Sequence, residues 1–264
     1  MKKIIISVLL ISIAYIFFKK DTLPLSLQKT LLPSPSPQIT KNAISVEYND
    51  LTYNIYIQKI HTPTSLKLIP NFSDSQTSQR ILQKNNCAYG VNRGFYTPAK
   101  KPLGVYFTED MYLENTIHTA SLFNGFFYKT TSQVLVLSKS APLESIEFAF
   151  QSGPLFTPGQ TLRLTTDERA RRMMVGQTNE GDFYFLAITD AENTHSGPYL
   201  VDLPKIMQQF LSKGQSAFGG NNITMQQFIL FLNLDGGSAS AFYDEKNTIL
   251  SELTSIGSFL CGTP

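Results

Sequence analysis

From Ala43 onward, short runs of alternating apolar and polar residues recur between turn residues, and only two stretches carry a helical period. Alternation with a period of two is what a half-buried strand needs, because successive side chains point to opposite faces. Ile44-Ser45-Val46-Glu47-Tyr48 and Leu51-Thr52-Tyr53-Asn54-Ile55-Tyr56-Ile57 flank Asn49-Asp50, a hairpin signal. Further strands are expected at 133–137, 143–150, 161–165, 183–189 and 228–234. A helix is expected from Pro204 to Leu211, where Asp202 can cap, Pro204 needs no donor, and Ile206, Met207, Phe210 and Leu211 share one stripe before Gly214. A second helix is expected over Ser75 to Lys84. Many strands, few helices and no strand–helix alternation predict an α+β fold with mainly antiparallel sheets, in one domain and without internal repeats.

The chain before Ala43 has a different texture. Lys2 and Lys3 precede an uncharged, mostly apolar run, Ile4 to Phe18, which is followed by Lys19, Lys20 and Asp21. Fifteen helical residues span roughly 22 Å, short of the ~30 Å hydrocarbon layer, so residues 1–20 read as a membrane anchor or a signal segment. Small residues suited to a cleavage site are missing from Ile16-Phe17-Phe18-Lys19-Lys20, which favours an uncleaved anchor with Lys19 and Lys20 reaching the interface. Residues 21–42 include Pro33-Ser34-Pro35-Ser36-Pro37, a composition that builds no core and reads as a linker. The expectation is a membrane-anchored, extracytoplasmic domain over 43–264, secreted if the N-terminal segment is cleaved.

Net charge excludes one class of partner. Of 22 bases and 20 acids, residues 1–21 hold Lys2, Lys3, Lys19, Lys20 and Asp21, so the rest of the chain carries 18 against 19 and is about neutral. Such a surface lacks the basic stripe that nucleic acid requires. The two cysteines, Cys87 and Cys261, are either a disulfide, which an oxidising compartment would preserve, or two buried thiols.

Several glycine-punctuated clusters carry candidate chemistry. Phe231-Leu232-Asn233-Leu234-Asp235-Gly236-Gly237-Ser238-Ala239-Ser240 is an apolar strand ending in a carboxylate, two glycines and hydroxyls; Asp-Gly-Gly is equally a good turn. Asn92-Arg93-Gly94-Phe95-Tyr96 precedes Pro102-Leu103-Gly104, and Gln151-Ser152-Gly153-Pro154 follows a strand. Arg169, Arg171 and Arg172 are a solvated charge run or, for an arginine held by apolar neighbours, a fork for phosphate. Ahead lies a strand running into Asp190.

In this order the clusters resemble the phosphodiester glycosidase family. Its pattern runs Asn-Gly-Gly-Phe-Phe, Pro-x-Gly, Gly-Pro, Arg-Thr-Ala-Ile-Gly, a strand ending in Asp, and Asn-Leu-Asp-Gly-Gly with serines. Matching positions are Asn92, Gly94, Phe95 and Tyr96; Pro102 and Gly104; Gly153 and Pro154; Arg172, Val175 and Gly176; Asp190; and Asn233 through Gly237 with Ser238 and Ser240. Arg93 replaces the first glycine, Met173-Met174 replaces Thr-Ala, Ala239 interrupts the serines, and Lys213 to Gln227 reads as an insertion. Asn124-Gly125-Phe126-Phe127 is a second candidate for the first motif, but Pro-x-Gly does not follow it.

The resemblance implies hydrolysis between an anomeric carbon and a phosphodiester oxygen, with free sugar and a phosphomonoester as products. Positive charge on the sugar ring and negative charge on the departing phosphate call for a carboxylate and an arginine. Asp235 is the expected catalytic carboxylate with Asp190 as the second, and Arg172 is the expected phosphate clamp. Asn92, Gly94, Gly153, Asn233, Gly236, Gly237, Ser238 and Ser240 are expected to line the substrate site. No cofactor or metal is expected, since nothing resembles a calcium loop. Gly-Gly-Ser-Ala-Ser does not fit the Gly-x-Ser-x-Gly elbow of a serine hydrolase. The alternative from another class is a non-catalytic glycan-binding module of the cell envelope.

Overall fold

In the computed structural model the described residues are 43–143, 145–213, 228–246 and 249–264. The apolar run Ile4 to Phe18, the linker at 21–42 and all but Lys213 of the expected insertion lie outside them. Among the described residues, no helix is long and apolar enough to cross a membrane.

The hairpin forms where the alternation places it. Strand β1 (Ile44–Tyr48) pairs with β2 (Leu51–Lys59), with Tyr48 opposite Leu51. Asn49 and Asp50 both lie at positive φ, 50° and 59°, as a two-residue hairpin of this hand requires. Strand β2 then joins a six-stranded sheet in the order β1, β2, β12 (Phe183–Asp190), β11 (Arg172–Thr178), β13 (Phe228–Asn233) and β10 (Leu155–Phe156). A second sheet runs β15 (Ile249–Leu250), β14 (Phe242–Tyr243), β4 (Tyr89–Arg93), β16 (Ser258–Gly262) and β3 (Leu66–Pro70). The third runs β6 (Met111–Glu114), β5 (Tyr106–Thr108), β9 (Ile146–Ser152), β7 (Gly125–Thr130) and β8 (Leu135–Ser138). Every pairing is antiparallel. The fold is α+β and mostly β, as the strand-rich pattern predicts.

The sheets share one core. Phe127 of β7 touches the rings of Phe148, Phe150 and Phe183, so side chains of the third and first sheets interdigitate there. Leu68, Val91 and Leu260 of the second sheet belong to the same buried cluster. Because that cluster takes residues from all three sheets, β4, β9 and β13 can come together at their ends.

Both expected helices form, slightly displaced. Helix α1 (Ser78–Lys84) is capped by Thr77, whose side chain accepts the amide of Arg80. Helix α2 (Leu203–Ser212) buries Ile206, Met207 and Phe210 against Tyr184, Phe228 and Phe231 of the first sheet. Each such side chain contributes about 1.5–3 kcal/mol on full burial. Asp202 precedes α2 without capping it; its carboxylate instead accepts the Tyr48 hydroxyl at 3.4 Å. The strand expected at 161–165 does not form. Its alternation is real, and Leu162 packs on the α2 cluster, but no neighbouring strand offers it a ladder. Cys87 and Cys261 are joined by a disulfide with the Cα atoms 5.4 Å apart.

Candidate active site

Three strands, one from each sheet, end at the same place. At the end of β4 stand Asn92 and Arg93; at the end of β9, Gln151 and Ser152; at the end of β13, Asn233, followed by Leu234, Asp235 and Gly236. Polar side chains sew these ends together because the backbone groups there have left their ladders and need partners. Asn92 donates from Nδ2 to the Asp235 carbonyl at 3.3 Å and accepts the Ala241 amide at 2.8 Å. Ser152 donates to the Asn233 carbonyl at 2.8 Å, and Asn233 donates to the carbonyls of Gly153 at 3.0 Å and Leu234 at 2.7 Å. Arg93 donates from Nη2 to the Gln151 carbonyl at 2.6 Å. The backbone from Asn233 to Asp235 is therefore held from two sheets, at Asn233 by Ser152 and at Asp235 by Asn92.

The carboxylate of Asp235 is half-buried, and its Oδ1 accepts the Gly236 amide at 2.9 Å. Burial is the dominant influence and pushes its pKa up to about 7, against smaller opposing effects of the Gly236 amide and the positive charge of Arg93. Tyr96 faces the same carboxylate. Burial first and the Asp235 charge second push its hydroxyl up, and that hydroxyl donates to the Ser255 carbonyl at 2.5 Å. A carboxyl that titrates near neutrality, at the open end of a rigid strand, is suited to taking a proton from water.

The glycines make room. A Cβ at Gly236 would stand 2.6 Å from the Arg171 carbonyl oxygen, so the chain can turn past β11 only as glycine. Gly237 follows with its amide on the same carbonyl at 3.1 Å. Gly104 lies at φ +73°, and a Cβ there would meet Phe123 Cε1 at 2.3 Å and Gln151 Oε1 at 2.7 Å. Gln151 holds the wall on that side, donating to the carbonyls of His118 and Phe123 and accepting the His118 amide. Gly104→Ala is expected to lower stability by about 1–3 kcal/mol through strained backbone and overpacking. The midpoint of urea unfolding measures it.

The remaining expected site residues divide into those at this junction and those beside it. Asn92, Gly94, Gly153, Asn233, Gly236, Gly237 and Ser240 are at the junction; Ser240 is fully buried and its Oγ has no partner, nor has Asn233 Oδ1. Ser238 is exposed and faces Thr254, 3.1 Å away. Arg172 runs past Gly236, and its guanidinium donates to the Pro198 carbonyl at 3.1 Å, to Asp167 at 3.3 Å and to the Glu168 carbonyl at 2.5 Å. Asp190 pairs with Arg169, and its Oδ1 accepts the amides of Glu192 and Asn193. Its pKa is lowered on balance: burial raises it, and the two amides and Arg169 outweigh that. Asp190 is one strand beyond Arg172 and two residues further along, since Arg172 pairs with Ile188. Arg171 donates to the carbonyls of Thr194, Ser240 and Ser251. The three arginines are thus bound in place rather than solvated.

Two contributors escaped the sequence. Gln151 gave no signal beyond being polar after a strand, and Arg93 stood out only as a departure. Asn124 of the second motif candidate belongs to the opposite wall, where its Oδ1 accepts the Leu155 amide at 2.8 Å.

Comparison with known proteins places this geometry. The chain resembles the catalytic domain of zebrafish N-acetylglucosamine-1-phosphodiester alpha-N-acetylglucosaminidase, a structure auto-inhibited by its pro-peptide, with a TM-score of 0.58 and 12% identity over 84% of this chain and 81% of that one. It also resembles a hypothetical protein from Synechocystis, with a TM-score of 0.53 and 11% identity over 83% of this chain and 61% of that one. At such identities the likeness is one of fold, and no curated protein matches the sequence. The sequence profile of the phosphodiester glycosidases matches residues 85–257, a span that contains β4, β9, β13 and the junction they form, and the chain belongs to the phosphodiester glycosidase family.

Proposed function

We propose that this protein is an exported hydrolase that cleaves the glycosidic bond of a sugar 1-phosphodiester. The observation that carries the reading is the Asp235 carboxyl, half-buried and brought to a pKa of about 7 at the meeting point of three strands. Water attacks the anomeric carbon and gives its proton to the Asp235 carboxylate. The bond from that carbon to the phosphate oxygen breaks, and its electron pair leaves with the phosphate. Free sugar and a phosphomonoester result. The leaving group is already stable as an anion, so the reaction places little demand on a general acid. Asn92 and Asn233 act by holding the Asp235 loop, while Gly236, Gly237 and Ser238 border the approach.

Arg172 is proposed to face the phosphate from beside Gly236. Its bonds to Asp167 and Glu168 favour a second reading, a glycan-binding module in which the site is retained without turnover. Export through an N-terminal anchor is proposed from the Ile4 to Phe18 run, and the disulfide supports an oxidising compartment. The test incubates the full chain with a panel of sugar 1-phosphodiesters and measures released reducing sugar. Release by the native protein and not by Asp235→Asn supports the hydrolase. Saturable binding of envelope glycans with no release from any diester supports the binding module.

A further inference from the structure

The loop that leaves the junction after β4 builds a second surface beside it. Tyr96 pairs with Pro102 across a tight loop, in which the Thr97 amide donates to the Lys101 carbonyl at 2.9 Å and the Lys100 amide to the Thr97 carbonyl at 2.8 Å. Hydrogen bonds tie this loop to the Asp235 turn. The Ser238 carbonyl, just beyond Gly237, accepts the amides of Leu253 at 2.7 Å and Thr254 at 3.1 Å, and the next residue, Ser255, accepts the Tyr96 hydroxyl at its carbonyl. Gly257 keeps the contact close, since a Cβ there would stand 2.6 Å from Tyr96 Cδ1 and 2.8 Å from Phe72 Cε1.

Phe72, Tyr96, Lys100 and Ser255 line one narrow cleft. Phe72 and Lys100 also line the groove next to it, a space of about 650 Å³ whose wall includes Pro70, Pro102, Leu113 and Lys101. That volume is in the range of small-molecule sites, roughly 300–1,000 Å³. Much of the wall is hydrocarbon. The Phe72 ring is held edge-on against Tyr106, with centroids 5.2 Å apart, and Leu113 is 40% exposed. Sugar hydroxyls would need fixed carboxylates or amides here. Glu114 is the carboxylate in the wall, and its Oε1 already accepts the amides of Asn115 at 3.0 Å and Thr116 at 2.9 Å. Positive charge is more available. Lys100 donates to the Ser75 hydroxyl at 2.6 Å, and among the described residues no salt bridge engages Lys100 or Lys101.

We propose that this groove receives the alcohol on the far side of the phosphate, and that the substrate is a sugar 1-phosphodiester whose second alcohol carries a hydrocarbon chain. The sugar lies at the Asp235 turn, and the chain runs past Tyr96 onto Phe72, Pro102 and Leu113. Lys100 and Lys101 draw in the anionic diester from the groove side. The inference rests on the reading of the junction as a phosphodiester hydrolase and adds to it the class of leaving group. An apolar surface that continues from a polar site is suited to a ligand with one polar and one greasy end.

The experiment gives the native full chain and Leu113→Asn the methyl and octyl diesters of the same sugar 1-phosphate and measures released sugar. Each added methylene is worth roughly fourfold when fully buried, so in a groove open on one side the octyl diester should exceed the methyl diester in kcat/KM by at least about tenfold. Leu113→Asn should lower that ratio at least about threefold. Equal kcat/KM for the two native reactions overturns the proposal and leaves the hydrolase standing. An octyl preference that Leu113→Asn does not change also overturns it, because the chain is then held elsewhere, such as on the Ile4 to Phe18 run. If Leu113→Asn does not fold, Ala99→Asp, in the same wall, is judged by the same ratio. Calorimetry with octyl phosphate and methyl phosphate separates the groove from turnover. In a protein that cleaves no diester, tighter binding of octyl phosphate that Leu113→Asn weakens would uphold the groove and sink the hydrolase; equal binding of the two phosphates would sink both.

Discussion

Asp235→Asn is expected to release sugar from a phosphodiester at least about 100-fold more slowly than the native protein, the usual range for removing a positioned acid or base being 10²- to 10⁴-fold. The exchange is nearly isosteric. The side-chain oxygen can still accept the Gly236 amide, and the bond from Asn92 goes to the backbone carbonyl, which the substitution does not alter. Lost turnover therefore reports lost chemistry and not a collapsed loop. If the carboxylate is the base, native turnover should climb as pH rises through about 7. An unchanged rate in the variant would remove Asp235 from the mechanism.

The same variant checks the ionisation independently of catalysis. The folded-state pKa of about 7 lies above the ordinary aspartate value of 3.8. Between those values the unfolded chain has released a proton that the folded chain retains, so this carboxyl's contribution to stability falls as pH rises from about 4 to about 7 and is constant above that. Asparagine has no such dependence. The melting temperature of Asp235→Asn relative to native protein should therefore increase from pH 4 to pH 7, and a constant difference would contradict the raised pKa.

Removing the disulfide should have the largest effect on stability. Cys87 and Cys261 are 174 residues apart in sequence, so the crosslink closes most of the domain into one loop. The chain-entropy model puts the stabilisation from a loop this long at about 5 kcal/mol, with measured losses usually 2–5 kcal/mol. For a domain of this size, that is a fall of roughly 5–20 °C in melting temperature at 2–4 °C per kcal/mol. The location supports the upper part of the range. Cys261 lies on β16, an interior strand of the second sheet between β3 and β4, and both cysteines are buried with Ile81, Tyr243 and Phe259. Calorimetry of Cys87→Ala/Cys261→Ala is the measurement; alanine avoids leaving buried hydroxyls. A fall under about 2 °C would mean that the sheet holds its register without the crosslink.

Several elements were legible because their causes are local. The hairpin follows from alternation on both sides of Asn49-Asp50, helix α2 from one apolar stripe between Pro204 and Ser212, and β13 from an apolar run. Where local cause and long-range need diverge, the sequence misleads. The alternation at 161–165 lacks a strand to pair with, and Asp202 bonds Tyr48 rather than the helix behind it. The order of the glycine-punctuated clusters identified the family, and the Asn233 to Gly237 segment pointed to the carboxylate at its strand end.

By itself the sequence determined the strand-rich α+β class, the family and the candidate carboxylate, since periodicity, turn residues and motif order are written along the chain. Only the tertiary structure decided what each charged group faces. Arg169, Arg171 and Arg172 look alike in sequence, yet one pairs with Asp190, one bonds the carbonyls of three loops and one turns to Asp167. Arg93 of β4 ends up buried over the rings of Tyr106 and Phe150, with its guanidinium on the Gln151 carbonyl, because the second and third sheets pack together. Electrostatic attraction depends on distance and burial, and neither exists until the sheets have packed.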